Sequence, residues 1–228
     1  MIKYNNCELN ALNYEKAVVY DYRSLSQVYS SLLISRHIIL FAFYPIKDYN
    51  IRIIKINLLI LSFDIHFAIN TTFFTDEAIH QIYEDKGKYS VSFFIPKIFL
   101  AFLLSYFCIC IIRYLSLSER IILEIKNEED SVKLAELEQK SKRNLIIRYI
   151  IFYILSLIFL IVFWYYLSSF CALYRNTQSF LIKNTIISFG ISLIFPLIYN
   201  LFPSAIRIHS FKEKNECLYK FSSVLQIF

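Results

Sequence analysis

RYIIFYILSLIFLIVFWYYLSSFCALYR, residues 148–175, carries an arginine at each end and no charged residue among the 26 between them. A bilayer core takes about 20 helical residues to cross, so this stretch is long enough to span it with a turn to spare. Its Trp164-Tyr165-Tyr166 cluster is the kind of amphipathic ring set found at a headgroup boundary. A second charge-free stretch of 23 residues lies between Lys183 and Arg207. Two more apolar runs precede them, and the four together predict spans at about 53–74, 91–112, 149–171 and 184–206.

Composition agrees with a membrane solvent. Hydrophobic residues make up 57% of the 228 and charged residues 18%, with a mean hydropathy of +0.49, which exceeds the balance of an ordinary soluble domain. Only two glycines are present, Gly87 and Gly190, and neither Gly nor Pro occurs between Pro96 and Gly190. Long unbroken helices follow, because little in the chain can end one. The fold class expected is all-α: an integral membrane four-helix bundle with an N-terminal interfacial amphipathic helix and a cytosolic helical hairpin.

The domain plan has three parts. Residues 1–50 form a polar N-terminal segment, 51–206 the transmembrane domain, and 207–228 a tail. MIKYNNCELNALNYEK has no apolar h-region, so no cleavable signal peptide is expected and the first span has to act as its own insertion signal. Over residues 25–43, Leu25, Val28, Tyr29, Leu32, Ile39, Leu40 and Phe43 recur at helical spacing among serines and Arg36, which predicts one amphipathic helix lying in the interface. As a fifth span it would hold Arg36-His37 near the bilayer centre. The loop 113–148 alternates Glu and Lys. Ser116-x-x-Glu119 has capping-box spacing, and the apolar positions predict two short helices folded back at 127–131, either as a solvated hairpin or as a docking site for a cytosolic partner. In the fourth span a kink is expected near Pro196.

Charge fixes the expected orientation. The N-terminal residues through Lys55, the 113–148 loop and the tail hold nineteen of the Lys and Arg residues, and the opposite side holds five. The positive-inside rule therefore puts both termini and the long loop in the cytosol. It also accounts for the net charge of +6 without a nucleic-acid partner, since the basic residues flank apolar segments instead of forming one patch. The expected partners are the bilayer itself and other membrane subunits or further copies of the chain.

Candidate functional residues concentrate in the first span, the least apolar of the four. At about 100° per residue, Asn57, Asp64 and Thr71 share one stripe, while Ser62, His66 and Asn70 share another roughly opposite, so Asp64 and His66 cannot form one site on this helix. Two readings stay open: an ion or proton path, and interhelical hydrogen bonds that hold the bundle together. In the short outer loop Asp76, His80 and Glu84 fall at four-residue spacing, which on a helix stacks them as a candidate cation site or a solvated, capped turn. The five cysteines, Cys7, Cys108, Cys110, Cys171 and Cys217, form neither a disulfide framework nor a CxxC site. No HExxH, GxSxG or glycine-rich phosphate loop occurs. No enzyme activity, metal centre or cofactor is therefore expected.

Four stretches, LNALNYEKAVVYDYRSL (9–25), FFTDEAIHQIYEDKGKY (73–89), LSLSERIILEIK (115–126) and FWYYLSSFCALYRNTQSFLIKNTIISFGISLIFPLIYNLFP (163–203), together resemble a family of uncharacterised multi-pass membrane proteins of ciliated protists. Members of that family are often longer, with this unit near the C-terminus. In order of features, RIIKINLLILSFDIHFAINTTFF, an outer loop, a second span, a charged loop and two spans ending in SFGISLIFPL also resemble the membrane segment of polycystin-type receptors. That likeness implies a receptor or channel-associated role, although the polycystin pore helices have no counterpart here.

The topology is testable with single cysteines in a cysteine-free background. In intact cells Glu84→Cys and Asn176→Cys are expected to react with an impermeant thiol reagent, and Asp130→Cys and a cysteine in the tail are expected to be shielded. The reverse pattern inverts the topology.

Overall fold

The computed structural model describes residues 4–127 and 131–226, and among them it is all-helical. The helices are α1 (Asn6–Ala11), α2 (Tyr14–Tyr20), α3 (Leu25–Arg36), α4 (Ile38–Phe43), α5 (Arg52–Thr72), α6 (Asp76–Glu84), α7 (Val91–Ser116), α8 (Glu119–Asn127), α9 (Ser131–Leu173), α10 (Gln178–Tyr199), α11 (Leu201–Lys212) and α12 (Glu216–Leu225). Among the described residues four helical stretches are long and apolar enough to cross a membrane: Arg52–Thr72, Val91–Ser116, Val132–Leu173 and, taking α10 with α11, Gln178–Lys212.

Several boundaries depart from those expected. The segment 25–43 is two helices, because His37 leaves helical geometry at φ −67°, ψ 114° and its ring accepts the Leu40 N–H as the cap of α4. The helix α3 also buries Val28, Ser31 and Leu32 and packs on α1, α4 and α11. The second helix of the loop is not separate from the third span. Instead α9 runs unbroken for 43 residues, about 65 Å at 1.5 Å per residue, roughly twice a bilayer core of about 30 Å. Its charged N-terminal part, up to Arg148, simply continues the apolar part. The capping-box reading fails as well, since Ser116 closes α7 and Ser118 is the residue that precedes α8. Residues 128–130, where the fold-back and Asp130 were placed, lie outside the described residues.

The break near Pro196 falls at Asn200. Pro203 has no N–H to return to the Tyr199 carbonyl, so one helical hydrogen bond is missing at this point. The Asn200 amide N–H and side-chain Nδ2 both turn to the Pro196 carbonyl, at 3.2 and 2.8 Å. Ser204 Oγ donates to the Asn200 carbonyl at 2.6 Å.

The described residues fall into two compact units. The first is drawn from Met1–Ile56, Tyr114–Tyr149 and Leu193–Phe228. Its centre is a buried cluster of charges. Arg207, with none of its surface exposed, donates through Nε and an Nη to Asp21 Oδ2 at 3.2 and 3.0 Å, and to the carbonyls of Leu9 and Asn10 at 2.5 and 3.1 Å. Arg23 grips the same carboxylate from the other side, at 2.7 and 2.8 Å. The Arg207 guanidinium also lies 4.7 Å from the ring centre of Tyr219, whose hydroxyl donates to the Leu12 carbonyl at 2.8 Å. Leu9, Leu12, Ala17 and Tyr219 form the apolar core around it.

Two further polar clusters occupy this unit. Glu8 accepts from the Asn5 amide at 2.6 Å, from Lys126 Nζ at 2.6 Å and from the Tyr49 hydroxyl. Asp48 accepts from Lys55 Nζ at 2.6 Å and Asn50 Nδ2 at 3.0 Å, and the Asn50 side-chain oxygen takes the Ser118 amide at 3.0 Å. Arg148 closes the end of α7 by donating to the carbonyls of Tyr114, Leu115 and Leu117, a basic side chain on the orphan carbonyls of a helix C-terminus.

The second unit is drawn from Asn57–Arg113 and Ile150–Ser192. Phe74, Ala78, Ile82, Phe94, Ile98, Phe170, Phe180 and Leu181 make its core, with Phe74 and Phe170 edge to face at 5.6 Å and Tyr89 stacked on Phe94 at 5.1 Å. Through Ala78 and Ile82, α6 is part of that core.

Burial raises the proton affinity of the Asp21 carboxyl, but hydrogen bonds and charge from Arg23, then charge from Arg207, outweigh it and hold the group below the usual range. The same contest, won by Lys126, Tyr49 and the Asn5 amide, lowers Glu8. A carboxyl depressed in the fold stabilises above its ordinary pKa and loses that contribution as pH falls through the folded value. Thermal unfolding in detergent is thus expected to show a stability plateau near neutral pH and a fall in the acid range. Asp21→Asn is expected to cost about 3–5 kcal/mol at neutral pH by stranding two guanidiniums, and to flatten the acid fall.

Candidate functional site

The polar residues of α5 are carried into the second unit, with one exception in degree: Asn57 is half-buried, whereas Ser62, Asp64, His66, Asn70 and Thr71 are buried. What holds them there is the aromatic packing of α5 on α9 and α10. Phe63 meets Phe189 edge to face at 5.4 Å, and Phe67 meets Phe163 at 5.9 Å. The Phe63 contact pairs the middle of α5 with the middle of α10, while Phe74, two residues beyond the end of α5, clusters with Phe180 and Leu181 at the start of α10. The two helices therefore run antiparallel.

At the middle of this pairing His66 Nδ1 lies 3.0 Å from Ser188 Oγ, both side chains buried. With antiparallel helices and four residues to each turn on one face, that contact puts the stripe Ser62, His66, Asn70 opposite the stripe Ser192, Ser188, Asn184. All six residues are buried. At the end nearest Asn184, the Tyr89 hydroxyl donates to the Asn184 side-chain oxygen. The seam is polar in composition but crosses between helices at few points. Asn70 Nδ2 donates back to the His66 carbonyl at 2.7 Å, Thr71 to Phe67 at 2.7 Å, Thr185 to Leu181 at 3.0 Å and Ser192 to Phe189 at 2.6 Å. Each of these hydroxyls and amides is satisfied by its own helix, a local bond that polar side chains take readily.

Asp64 and His66 stand apart, as their spacing requires. Among the described residues four buried polar atoms of this unit have no hydrogen-bond partner: Asp64 Oδ2 and His66 Nε2 of α5, and Lys97 Nζ and Ser105 Oγ of α7. Leaving such an atom unmatched costs about 1–3 kcal/mol. Lys97 of α7 lies 3.7 Å from the Glu77 carboxylate of α6 and 4.1 Å from the Phe93 ring centre.

Asp76, His80 and Glu84 do share α6, but they do not converge on a metal. His80 Nε2 lies 3.1 Å from Glu84 Oε1 with both side chains exposed, and among the described residues no group of three His, Cys, Asp or Glu is placed to hold a metal ion. Sequence spacing missed the α10 half of the seam, although Asn184-xxx-Ser188-xxx-Ser192 carries the same four-residue period that marked α5. It missed Asp21, Arg207 and Glu8 for lack of any local signal.

Ser188→Ala removes the partner of His66 and is expected to destabilise the purified protein by about 0.6–2 kcal/mol. Ser105→Ala removes a hydroxyl that bonds to nothing and is expected to be neutral or stabilising. Thermal melting of the two variants in one detergent checks the order.

No known protein family, curated protein or solved structure matches the chain, so the residues and their geometry alone carry its function.

Proposed function

We propose that the chain is a non-enzymatic multi-pass membrane module, a scaffold, sensor or subunit of a larger membrane assembly, with both termini and the 113–148 segment in the cytosol. The observation that carries this reading is the short, local character of the bonds along the polar seam. Asn70 and Ser192 in the seam, and Thr71 and Thr185 beside it, bond to their own helices, and the crossings are the separate contacts His66–Ser188 and Tyr89–Asn184, which suits register-setting contacts better than a continuous path for an ion. The nineteen-to-five distribution of Lys and Arg supports the orientation. Room for neighbouring subunits is ample: half of the most apolar stretch of α5 is buried, against 11% of that of α9.

One observation favours a second reading, an ion channel or transporter component using the polar face of α5. Asp64 Oδ2 and His66 Nε2 are buried without partners, and an ionisable group left unmatched at membrane depth often marks an ion or proton route. The two readings part at Asp64. Purified protein reconstituted in liposomes is expected to pass no ion flux, and Asp64→Asn is expected to leave expression and assembly unchanged. An ion-selective conductance of the wild type that disappears in Asp64→Asn overturns the scaffold reading and establishes transport.

A further inference from the structure

The first unit contains a cavity of about 540 Å³ between the start of α1, one face of α3 and the segment after α4. That volume is within the range of small-molecule sites. Its lining includes Asn5, Gln27, Ser30, Ile34, Tyr44 and Lys47. At two of these side chains helix capping turns the chemistry towards donation. Asn5 Oδ1 accepts the Glu8 amide at 2.9 Å, and Gln27 Oε1 accepts the Ser24 amide at 2.9 Å. Because each side-chain oxygen already accepts a backbone N–H, the group that Asn5 and Gln27 leave wholly uncommitted is the NH₂ donor.

Lys47 adds the cavity's one cationic side chain, exposed and with no ion pair among the described residues. No carboxylate lines the cavity. The two nearest in sequence are engaged elsewhere, Glu8 by Lys126 and Tyr49 and Asp48 by Lys55. Amide and hydroxyl donors grouped with a cation, and with no carboxylate among them, suit an oxyanion. Ile34, Pro45 and Ile46 give one wall an apolar character, and Phe43 and Tyr44 expose their rings beside it, which fits an anion attached to an apolar body.

We infer that this cavity binds a phosphate-bearing anion, supplied either by the headgroup of an anionic phospholipid or by a soluble phosphate. The inference rests on the membrane placement proposed above but not on the scaffold role, which the flux measurement tests separately. Lys47 supplies charge, and the amides of Asn5 and Gln27 and the Ser30 hydroxyl supply direction.

The test uses the full chain in detergent, with lipid retention followed by native mass spectrometry. Wild-type protein is expected to retain added phosphatidylinositol phosphate under conditions in which phosphatidylcholine is lost. Lys47→Gln is expected to weaken retention about tenfold, the loss typical of one charge-assisted contact. Gln27→Glu is the sharper variant, since the carboxylate keeps an oxygen for the Ser24 amide while replacing the free donor with an anion. It is expected to abolish retention while the melting temperature stays close to that of wild type. Competition by inorganic phosphate identifies a soluble anion as sufficient, and its failure to compete identifies the lipid headgroup. Equal loss of both lipids from the wild type overturns the inference. So does retention that both variants leave unchanged.

Discussion

The interaction on which the first unit depends is the one Arg207 makes. A helix of six residues is not stable alone in water, because nucleation costs more than so few hydrogen bonds return. The helix α1 has this length, and its last carbonyls, Leu9 and Asn10, are those that Arg207 fills. The guanidinium is thus a cap supplied from 197 and 198 positions away in the chain, and Asp21 is what permits a buried cation to sit there. One carboxylate shared by two guanidiniums leaves an excess positive charge. The carbonyl end of α1 and the face of Tyr219 are the partial negative charges that offset it.

The second unit solves a different problem. Between helices in lipid there is little hydrophobic drive, since lipid chains are as apolar as the side chains they would replace. Packing and a few polar contacts have to choose the register instead. Phe63 against Phe189 and Phe74 beside Phe180 fix the direction of α5 on α10. His66 against Ser188 then fixes the rotation, because a turn of either helix by one residue would separate two groups that have no water to fall back on.

Much of this was legible in the chain. Charge-free stretches located the spans, and the scarcity of Gly and Pro foretold long helices. The same features misled at two boundaries. Arg148 marks where an apolar segment ends, not where a helix ends, and α9 passes through it because nothing there breaks a helix. His37 does break one, with neither Gly nor Pro to announce it, through a ring that caps the following turn. The four-residue period of α5 could be read, and so could its counterpart in α10. Which residues faced one another could not, since pairing at a separation of 122 residues leaves no local trace. The Asp21–Arg207 pair, 186 residues apart, had no local pattern at all, and Arg207 by itself is indistinguishable from a flanking charge of the positive-inside kind.

The two units also treat unmatched chemistry in opposite ways, and this bears on which feature can decide function. In the first, buried carboxylates have cationic partners: Asp21 with two arginines, Glu8 with Lys126 and Asp48 with Lys55. In the second, α9 leaves apolar side chains uncovered while α5 leaves Asp64 Oδ2 and His66 Nε2 unbonded. Lipid satisfies uncovered apolar surface at no cost, so the bareness of α9 is equally natural in a lone bundle and in a subunit. It cannot satisfy a carboxylate oxygen or a ring nitrogen. Of the unbonded atoms in this unit, Lys97 Nζ has the Glu77 carboxylate at 3.7 Å and Ser105 Oγ carries no charge, so the two on α5 are where a water, ion or partner group has most to relieve. The polar face of α5, and not the long apolar flank of α9, is where a structural role and a transporting one become physically different.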